Sequence, residues 1–336
     1  MRSNDIVVAT AVALAALSAS GCGKSSDAAA QTNGSQPVAK PGGTGRALPG
    51  ETLGETDDGG RVGKQPQGPT VTPGTGPSLT LRFRIAKGRK TRYAIAETTS
   101  GEAPGRQAGS FTMKQSGLAT VEITDQTAGG FAARITLSHM SMDMGAARRG
   151  PAKTSNPLAS MNGQSYESSY DSLGNLQGSG TTDKHSIANM VVGMVGATDK
   201  GFMGIVLPSQ AVQVGSTWRS KVDPGKILGI LAGSNENSSG EIDMTYTLQK
   251  IGSLGAEKIA VIGLAMAGKL VVSVSAKEAR SRAPTSVAVV VDGRGTLTLD
   301  ASTGEVVDQS LVANVGMDLA GTKISMRQAQ SVKREK

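Results

Sequence analysis

Leu79-Thr80-Leu81-Arg82-Phe83-Arg84-Ile85 decides the fold class. Its apolar side chains recur at every second position, and the residues between them are polar or charged. That is the period of a β-strand with one buried face, not of a helix. The same alternation returns downstream. Ala119, Val121 and Ile123 alternate with Thr120, Glu122 and Thr124. Phe131, Ala133, Ile135 and Leu137 follow Gly129-Gly130, a hairpin signal. Ile242, Met244, Tyr246 and Leu248 continue the pattern in the C-terminal half. Leu270-Val271-Val272, Ile259 to Met266 and Val287 to Val291 read as strands apolar on both faces. Asp292-Gly293 and Ser302-Thr303-Gly304 read as turns between the last strands. The expectation is a mainly β domain of curved antiparallel sheets over residues 79–336.

One segment breaks the pattern. Ile187, Met190, Val191, Met194 and Val195 recur at three- and four-residue spacing, which predicts one amphipathic helix capped near Thr182 or Asp183. It divides two groups of strands that parallel each other. Tyr93 matches Trp218, Thr120 matches Thr245 and Asp171 matches Asp300, at offsets of 125 to 129 residues. Repeated β modules at about 79–180 and 207–320 are therefore one expectation. The thin identity between them leaves a chance parallel open.

Upstream of Leu79 the composition changes. Residues 23–78 are rich in Gly, Pro, Ser, Thr, Gln and Ala without hydrophobic periodicity, so they read as a flexible linker. As a coil such a linker spans roughly 40 Å, and fully extended on the order of 190 Å. Five basic and five acidic side chains cancel within it, and Arg2 cancels Asp5. The net charge of +8 therefore lies entirely in residues 79–336. These charges are scattered through loops such as Lys87 to Arg92 and Arg148-Arg149, as expected of a solvated surface.

Residues Ile6 to Ala19 form an apolar run too short to span a bilayer, with the length of a signal-peptide core. Ala19-Ser20-Gly21-Cys22 follows, and Cys22 is the only cysteine. This resembles the lipobox of bacterial lipoproteins. The resemblance implies a signal peptide at 1–21, cleavage before Cys22, and a diacylglycerol thioether with an acylated amine on that residue. Two or three acyl chains hold a protein on a membrane, whereas one is marginal. A lone cysteine forms no intrachain disulfide, so a thiol reserved for lipid accounts for its solitude. Gly23 is not the aspartate of an inner-membrane retention signal, so an outer membrane is favoured where the host has one. Export to the envelope or periplasm excludes nucleic acid as a partner.

A second resemblance lies further on. Gly88-x-x-Thr91-x-Tyr93, followed by Leu207-Pro208-x-x-x-Val212-x-x-Gly215-x-x-Trp218, resembles an uncharacterised family of exported bacterial proteins, a domain of unknown function. Ala211 and Ser216 depart from its pattern. The resemblance carries no activity, cofactor or catalytic residue. Structurally the motif reads as a proline-led approach, a tight glycine turn, and a strand begun by an anchoring Trp.

Motifs with chemical meaning are few. Gly263-x-x-x-x-Gly268-Lys269 lacks the hydroxyl residue and the helix of a phosphate loop, because Leu270 and a strand follow. No nucleophile elbow, Cys–His pair or zinc-protease signature occurs. The reading is non-enzymatic, with no cofactor and no metal. His139-Met140-Ser141-Met142-Asp143-Met144 places three thioethers on one face of a strand. Soft sulfur ligands suit copper, but these methionines are out of phase with Phe131 to Leu137. A bulge that returns them to the core explains the pattern without metal. The expected function is a lipid-anchored envelope protein that binds an apolar, lipid-like ligand or another envelope component. Met140, Met142, Met144, Met190 and Met194 are the candidates to line a groove between helix and sheet. An envelope scaffold or spacer, and an enzyme of unrecognised type, are the alternatives.

Overall fold

The structure is a computed structural model. It describes residues 69–103, 109–143, 156, 158–179, 202–222, 238–274, 285–319 and 322–335. The expected helix at 187–195, with Met190 and Met194, lies outside these residues, as do Met144, Cys22 and the signal segment.

The protein is mainly β and antiparallel. In chain order the strands are β1 (Val71–Thr72), β2 (Ser78–Leu79), β3 (Lys90–Ala103), β4 (Gly109–Thr127), β5 (Gly130–Asp143), β6 (Ser165–Asp171), β7 (Leu176–Ser179), β8 (Val212–Gln213), β9 (Thr217–Val222), β10 (Ser238–Leu254), β11 (Glu257–Val274), β12 (Thr285–Asp300), β13 (Val306–Leu319) and β14 (Thr322–Arg334). Twelve of them form one sheet in the order β1-β9-β10-β11-β12-β13-β14-β3-β4-β5-β6-β7, and β2 pairs β8 separately. Two meanders, β3 to β7 and β9 to β14, are joined where the last strand pairs the first long one. Ser325 lies opposite Glu102 and Arg334 opposite Tyr93.

The sheet is curled. Phe202 packs edge-on against Phe131 of β5 at 4.9 Å, while two residues later the Gly204 carbonyl accepts from the Tyr246 hydroxyl of β10 at 3.3 Å. Along the sheet β5 and β10 are seven strand spacings apart, which is roughly 33 Å. A two-residue step bridges them only if the sheet bends round on itself. Bulges supply part of that bend: Thr124 and Gln249 are extra residues at matching places in β4 and β10, and Val307 is another in β13.

The turns described at one end, here the lower end, share a construction across the two halves. Gly88 N–H donates to the Ile123 carbonyl, as Gly215 N–H donates to Leu248. Ile123 N–H returns to Arg89, as Leu248 N–H returns to Ser216. Asp171 and Asp300 each close a turn with the side-chain carboxylate accepting from the backbone two residues on, at 2.9 and 2.8 Å. Because Thr91 lies opposite Val121 and Trp218 opposite Tyr246, the structural counterpart of Trp218 is Thr91. The expected match with Tyr93 is displaced by two residues along the same face.

Four expectations are corrected. Folded structure begins before Leu79: Val71 is buried and pairs Trp218, and Gly76 N–H donates to Val214. Beyond Leu79, which pairs Val212 in β8, the stretch Thr80 to Ile85 is not a ladder strand. Its alternation is real, since Leu81, Phe83 and Ile85 are buried. However, its backbone bonds go to the two turns, from Phe83 N–H to Ser172 and from Arg84 N–H to Thr303. It is an extended strap that seals the lower end. The strap leaves no room for side chains at Gly174 and Gly304: a Cβ would lie 2.6 Å from the Phe83 ring and 2.5 Å from the Arg82 carbonyl. Both glycines also have positive φ, 89° and 75°, which glycine adopts without the Cβ penalty. Asp292-Gly293 is not a turn but lies in the middle of β12, paired with Ala267 and Met266. Finally, Val271 and Val290 are 43% and 47% exposed, so those strands have one dry face, not two.

Candidate functional site on the buried face of the sheet

The buried face divides into three zones along the strands. The lower zone is a packed core that includes Phe83, Tyr93, Phe131, Tyr166, Tyr170, Phe202, Trp218 and Tyr246. Phe202 meets Phe83, Phe131 and Tyr170 within 5.2 Å. Trp218 stacks on Tyr246 at 5.5 Å, and its indole N–H donates to the Val206 carbonyl at 3.2 Å. That arrangement agrees with the reading of the Leu207-to-Trp218 motif as a glycine turn leading into a strand begun by an anchoring Trp. Beneath it, the buried Glu305 carboxylate accepts from Arg334 at 3.3 Å, from Arg89 at 3.4 Å and from the Thr91 hydroxyl. Arg334 also pairs Glu257. These bonds tie three strands and two turns together. Burial, reinforced by the Glu305 charge, pushes the Tyr93 phenol well above its ordinary range.

The upper zone is aliphatic. Leu270, Val287, Val289, Val291, Ala313, Val315, Met317, Ile324 and Met326 are buried together, with Phe111, Ile242 and Met266 at the margin. The connections from β3 to β4, β9 to β10, β11 to β12 and β13 to β14 lie outside the described residues.

Between the two lies a polar band that the sequence reading missed. In β3 the inward positions run Thr91, Tyr93, Ile95, Glu97, Thr99, so Glu97 and Thr99 stand where alternation calls for apolar side chains. Register aligns Gln115 of β4 and Gln330 of β14 with Glu97, and aligns Gln328 with Thr99. Gln309 sits one row lower, opposite Val332. Glu97 Oε1 accepts from the Gln328 amide at 2.9 Å and the Thr99 hydroxyl at 3.3 Å. Burial pushes the Glu97 carboxyl up, and those two hydrogen bonds offset part of the effect. Gln115 and Gln309 are 5% and 8% exposed, and among the described residues the amide oxygen of each is buried without a partner. Such orphaned acceptors are rare in native proteins, and each costs roughly 1–3 kcal/mol. The signal that could have found this band was phase: polar residues falling on the inward parity of otherwise regular strands.

The methionine ridge is partly core. Two residues, His139 and Met140, lie opposite the single Gly117, and His139 adopts φ 55°. This bulge switches the inward parity from odd to even. His139 is exposed, while Met140 is 3% exposed and packed in the lower core. A Cβ at Gly117 would lie 2.2 Å from the Met140 sulfur, so glycine is what admits the thioether. Met142 packs against the same core, half-buried. Asn156 and Asn162 clamp the bulged strand, accepting from Met142 N–H at 3.2 Å and Met140 N–H at 2.7 Å. The bulge that the sequence predicts is present, and Met140 and Met142 share its inward face.

Other chemistry finds less footing. Among the described residues no group of three His, Cys, Asp or Glu side chains is placed to hold a metal. Gly263 to Lys269 lies wholly within β11, so a strand and not a helix follows the glycines. A cavity of about 350 Å³ opens beside the strap, lined by Arg82, Phe83, Gln126, Phe131 and Ser172 among others. Its Arg82 guanidinium is already committed to the carbonyls of Leu81, Pro208 and Ser209. No helix among the described residues is long and apolar enough to cross a membrane.

No protein-family model and no curated protein matches the chain. Among solved structures it is similar to engineered variants of Rh. blastica porin. One has a TM-score of 0.23 at 10% identity, covering 74% of this chain and 99% of the porin. Another has a TM-score of 0.22 with the same identity and coverage. A chain from work on the asymmetric conductivity of engineered proteins has a TM-score of 0.23 at 9% identity, covering 74% of this chain and 99% of its own. Scores of this size carry no argument about fold or function.

Proposed function

We propose that this chain is an exported lipoprotein, anchored through lipidated Cys22 to a cell-envelope membrane, whose curled sheet binds an apolar, lipid-like ligand by non-enzymatic means. The lipobox-like Ala19-Ser20-Gly21-Cys22 supports the anchor, and the linker supplies reach. The matched turns of the two halves support their reading as repeated modules. The observation that carries ligand binding is the upper zone of the buried face. A folding core at the lower end already holds the aromatics. The sheet nonetheless continues beyond a polar band into a second surface of Val, Ile and Met, apolar throughout and adaptable at its methionines, as suits an acyl chain. Met142 borders the polar band, in register with Gln115.

The test is a filling substitution. The full chain carrying Cys22→Ala should take up a fluorescent fatty-acid analogue saturably, near one molecule per chain. Val315→Phe should abolish uptake and leave the melting midpoint unchanged or raised, because the new ring occupies ligand space. If the upper zone is instead a closed core, wild type takes up no probe and the added ring strains the packing by about 1–3 kcal/mol. That result overturns the proposal.

A further inference from the structure

We infer that the polar band is a head-group subsite for a neutral amphiphile bearing hydroxyl donors, such as an acylglycerol, with the acyl chain lying over the Val and Met zone above it. This rests on the ligand reading above and names the class of ligand. The argument is one of unmatched donors and acceptors. Among the described residues, the amide oxygens of Gln115 and Gln309 are buried with nothing to accept from, and both residues are more than nine-tenths buried. Glu97 lies beside Gln115 in register, with Gln309 two strands away and one row lower, and its Oε1 accepts from Thr99 and Gln328. Two acceptors in the band therefore stand without donors. A ligand that completes it must bring O–H or N–H groups.

Charge narrows the choice. Among the described residues no lysine or arginine is buried, and Glu97 belongs to none of the ion pairs. A phosphate placed here would meet a carboxyl group and two amide oxygens with no cation to balance it, and burying an unpaired charge is costly. A hydroxylated neutral head group meets no such barrier. Position fits as well. Gln115, Glu97 and Gln330 form one row across three adjacent strands, with Thr99 and Gln328 in the next row toward the aliphatic zone. An amphiphile whose head group occupies this row has its chain against Met326, Val315 and Val289, which follow on the same face.

The experiment compares three fluorescent probes with the same pyrene-labelled chain on the full-length Cys22→Ala protein: the 1-monoacylglycerol, the fatty-acid methyl ester and the lysophosphatidic acid. The monoacylglycerol should bind at least tenfold tighter than the methyl ester, which has no donors, and the lysophosphatidic acid should bind weakest. Replacing both orphaned acceptors, Gln115→Leu with Gln309→Leu, should weaken the monoacylglycerol roughly ten- to thirtyfold. The ester should be unaffected and the melting midpoint should not fall. If all three probes bind equally, or the phosphate binds best, the head-group assignment is overturned while the apolar-ligand reading stands, and the band is satisfied by water alone. If none of the three binds, both fall together. The wild-type comparison decides the matter even if the double variant does not fold.

Discussion

The two ends of the sheet are built from the same strands yet from different residues. All but one of the nine aromatic side chains lie in the lower core, and the exception, Phe111, only borders the upper zone. The lower end is sealed by a strap, a pair of matched turns and a buried ionic network. The upper zone has Val, Ile, Leu and Met on the same inward face and is separated from the lower core by a band of buried polar groups. Aromatic rings in fixed edge and stacked geometry specify one packing. Thioether side chains accommodate several. The contrast places the aromatic, geometrically fixed packing at one end of the sheet and the aliphatic packing at the other.

That division predicts unequal costs. Trp218→Ala removes a buried ring that stacks on Tyr246 and orphans the Val206 carbonyl. It should destabilise the protein by about 3–5 kcal/mol. Met317→Ala, in the upper zone, should cost less than about 2 kcal/mol, the low end for a buried methionine. Urea unfolding of the two variants measures both. Equal costs would mean that the upper zone is as tightly packed as the lower, and the functional contrast would be lost.

The sequence showed these zones unevenly, for a physical reason. Alternation reports which side chains are buried, and it correctly placed the inward residues of β4, β5 and β10, together with the Gly129 and Ser302 to Gly304 turns. It does not report the partner. Leu81, Phe83 and Ile85 alternate as a strand does, but their buried face is met by two turns, and their backbone bonds depend on residues about 90 and 220 positions away. The join of β14 to β3 is equally remote. Glu97 and Gln115 were passed over because polar residues in a strand are assumed to face water. Their parity says otherwise, and parity is local information. The methionine bulge was legible because the phase slip between Leu137 and Met140 is written in the sequence.

An intermediate effect tests the lower end itself. Asp300 accepts from Ser302 N–H and Oγ at 2.8 and 2.5 Å and from Thr303 N–H. Burial works against the charged carboxylate, but these donors outweigh it and hold the carboxyl below its ordinary range. A depressed carboxyl stabilises the fold above its unfolded pKa, and the contribution is lost as pH falls through the folded value. Asp300→Ala should cost about 1–2 kcal/mol near neutral pH, as for other side-chain-capped turns, and progressively less in acid. Asp171→Ala removes the matching acceptor from Leu173 and Asn175 and should cost a similar amount. A large cost at one turn and none at the other would show that the strap is held from one side only.

The smallest expected effect falls on the boundary between the two zones, and it has the opposite sign. Glu97 is buried, and its carboxyl is pushed up mainly by that burial. An acid whose folded pKa is raised contributes stability that is fully present below the unfolded value, about 4.3 for glutamate. That contribution is lost as pH rises through the folded value, because the charged form is penalised only in the native state. The side chains registered on either side of it, Gln115 and Gln330, do not ionise, nor do Gln328 and Thr99 in the next row. No neighbouring titration in the band therefore reverses the sign. Glu97→Gln keeps the shape and the hydrogen-bonding capacity while removing the charge. Wild type and variant should melt together in acid, and the variant should melt higher at neutral pH by less than the Asp300 effect. The measurement is a series of thermal melts from pH 3 to pH 8. A variant less stable than wild type at neutral pH would mean that the Glu97 carboxylate has a cationic partner in the native state. The band would then no longer be a neutral acceptor surface, and the contrast between a sealed, charge-tied lower end and an aliphatic upper end would fail at its border.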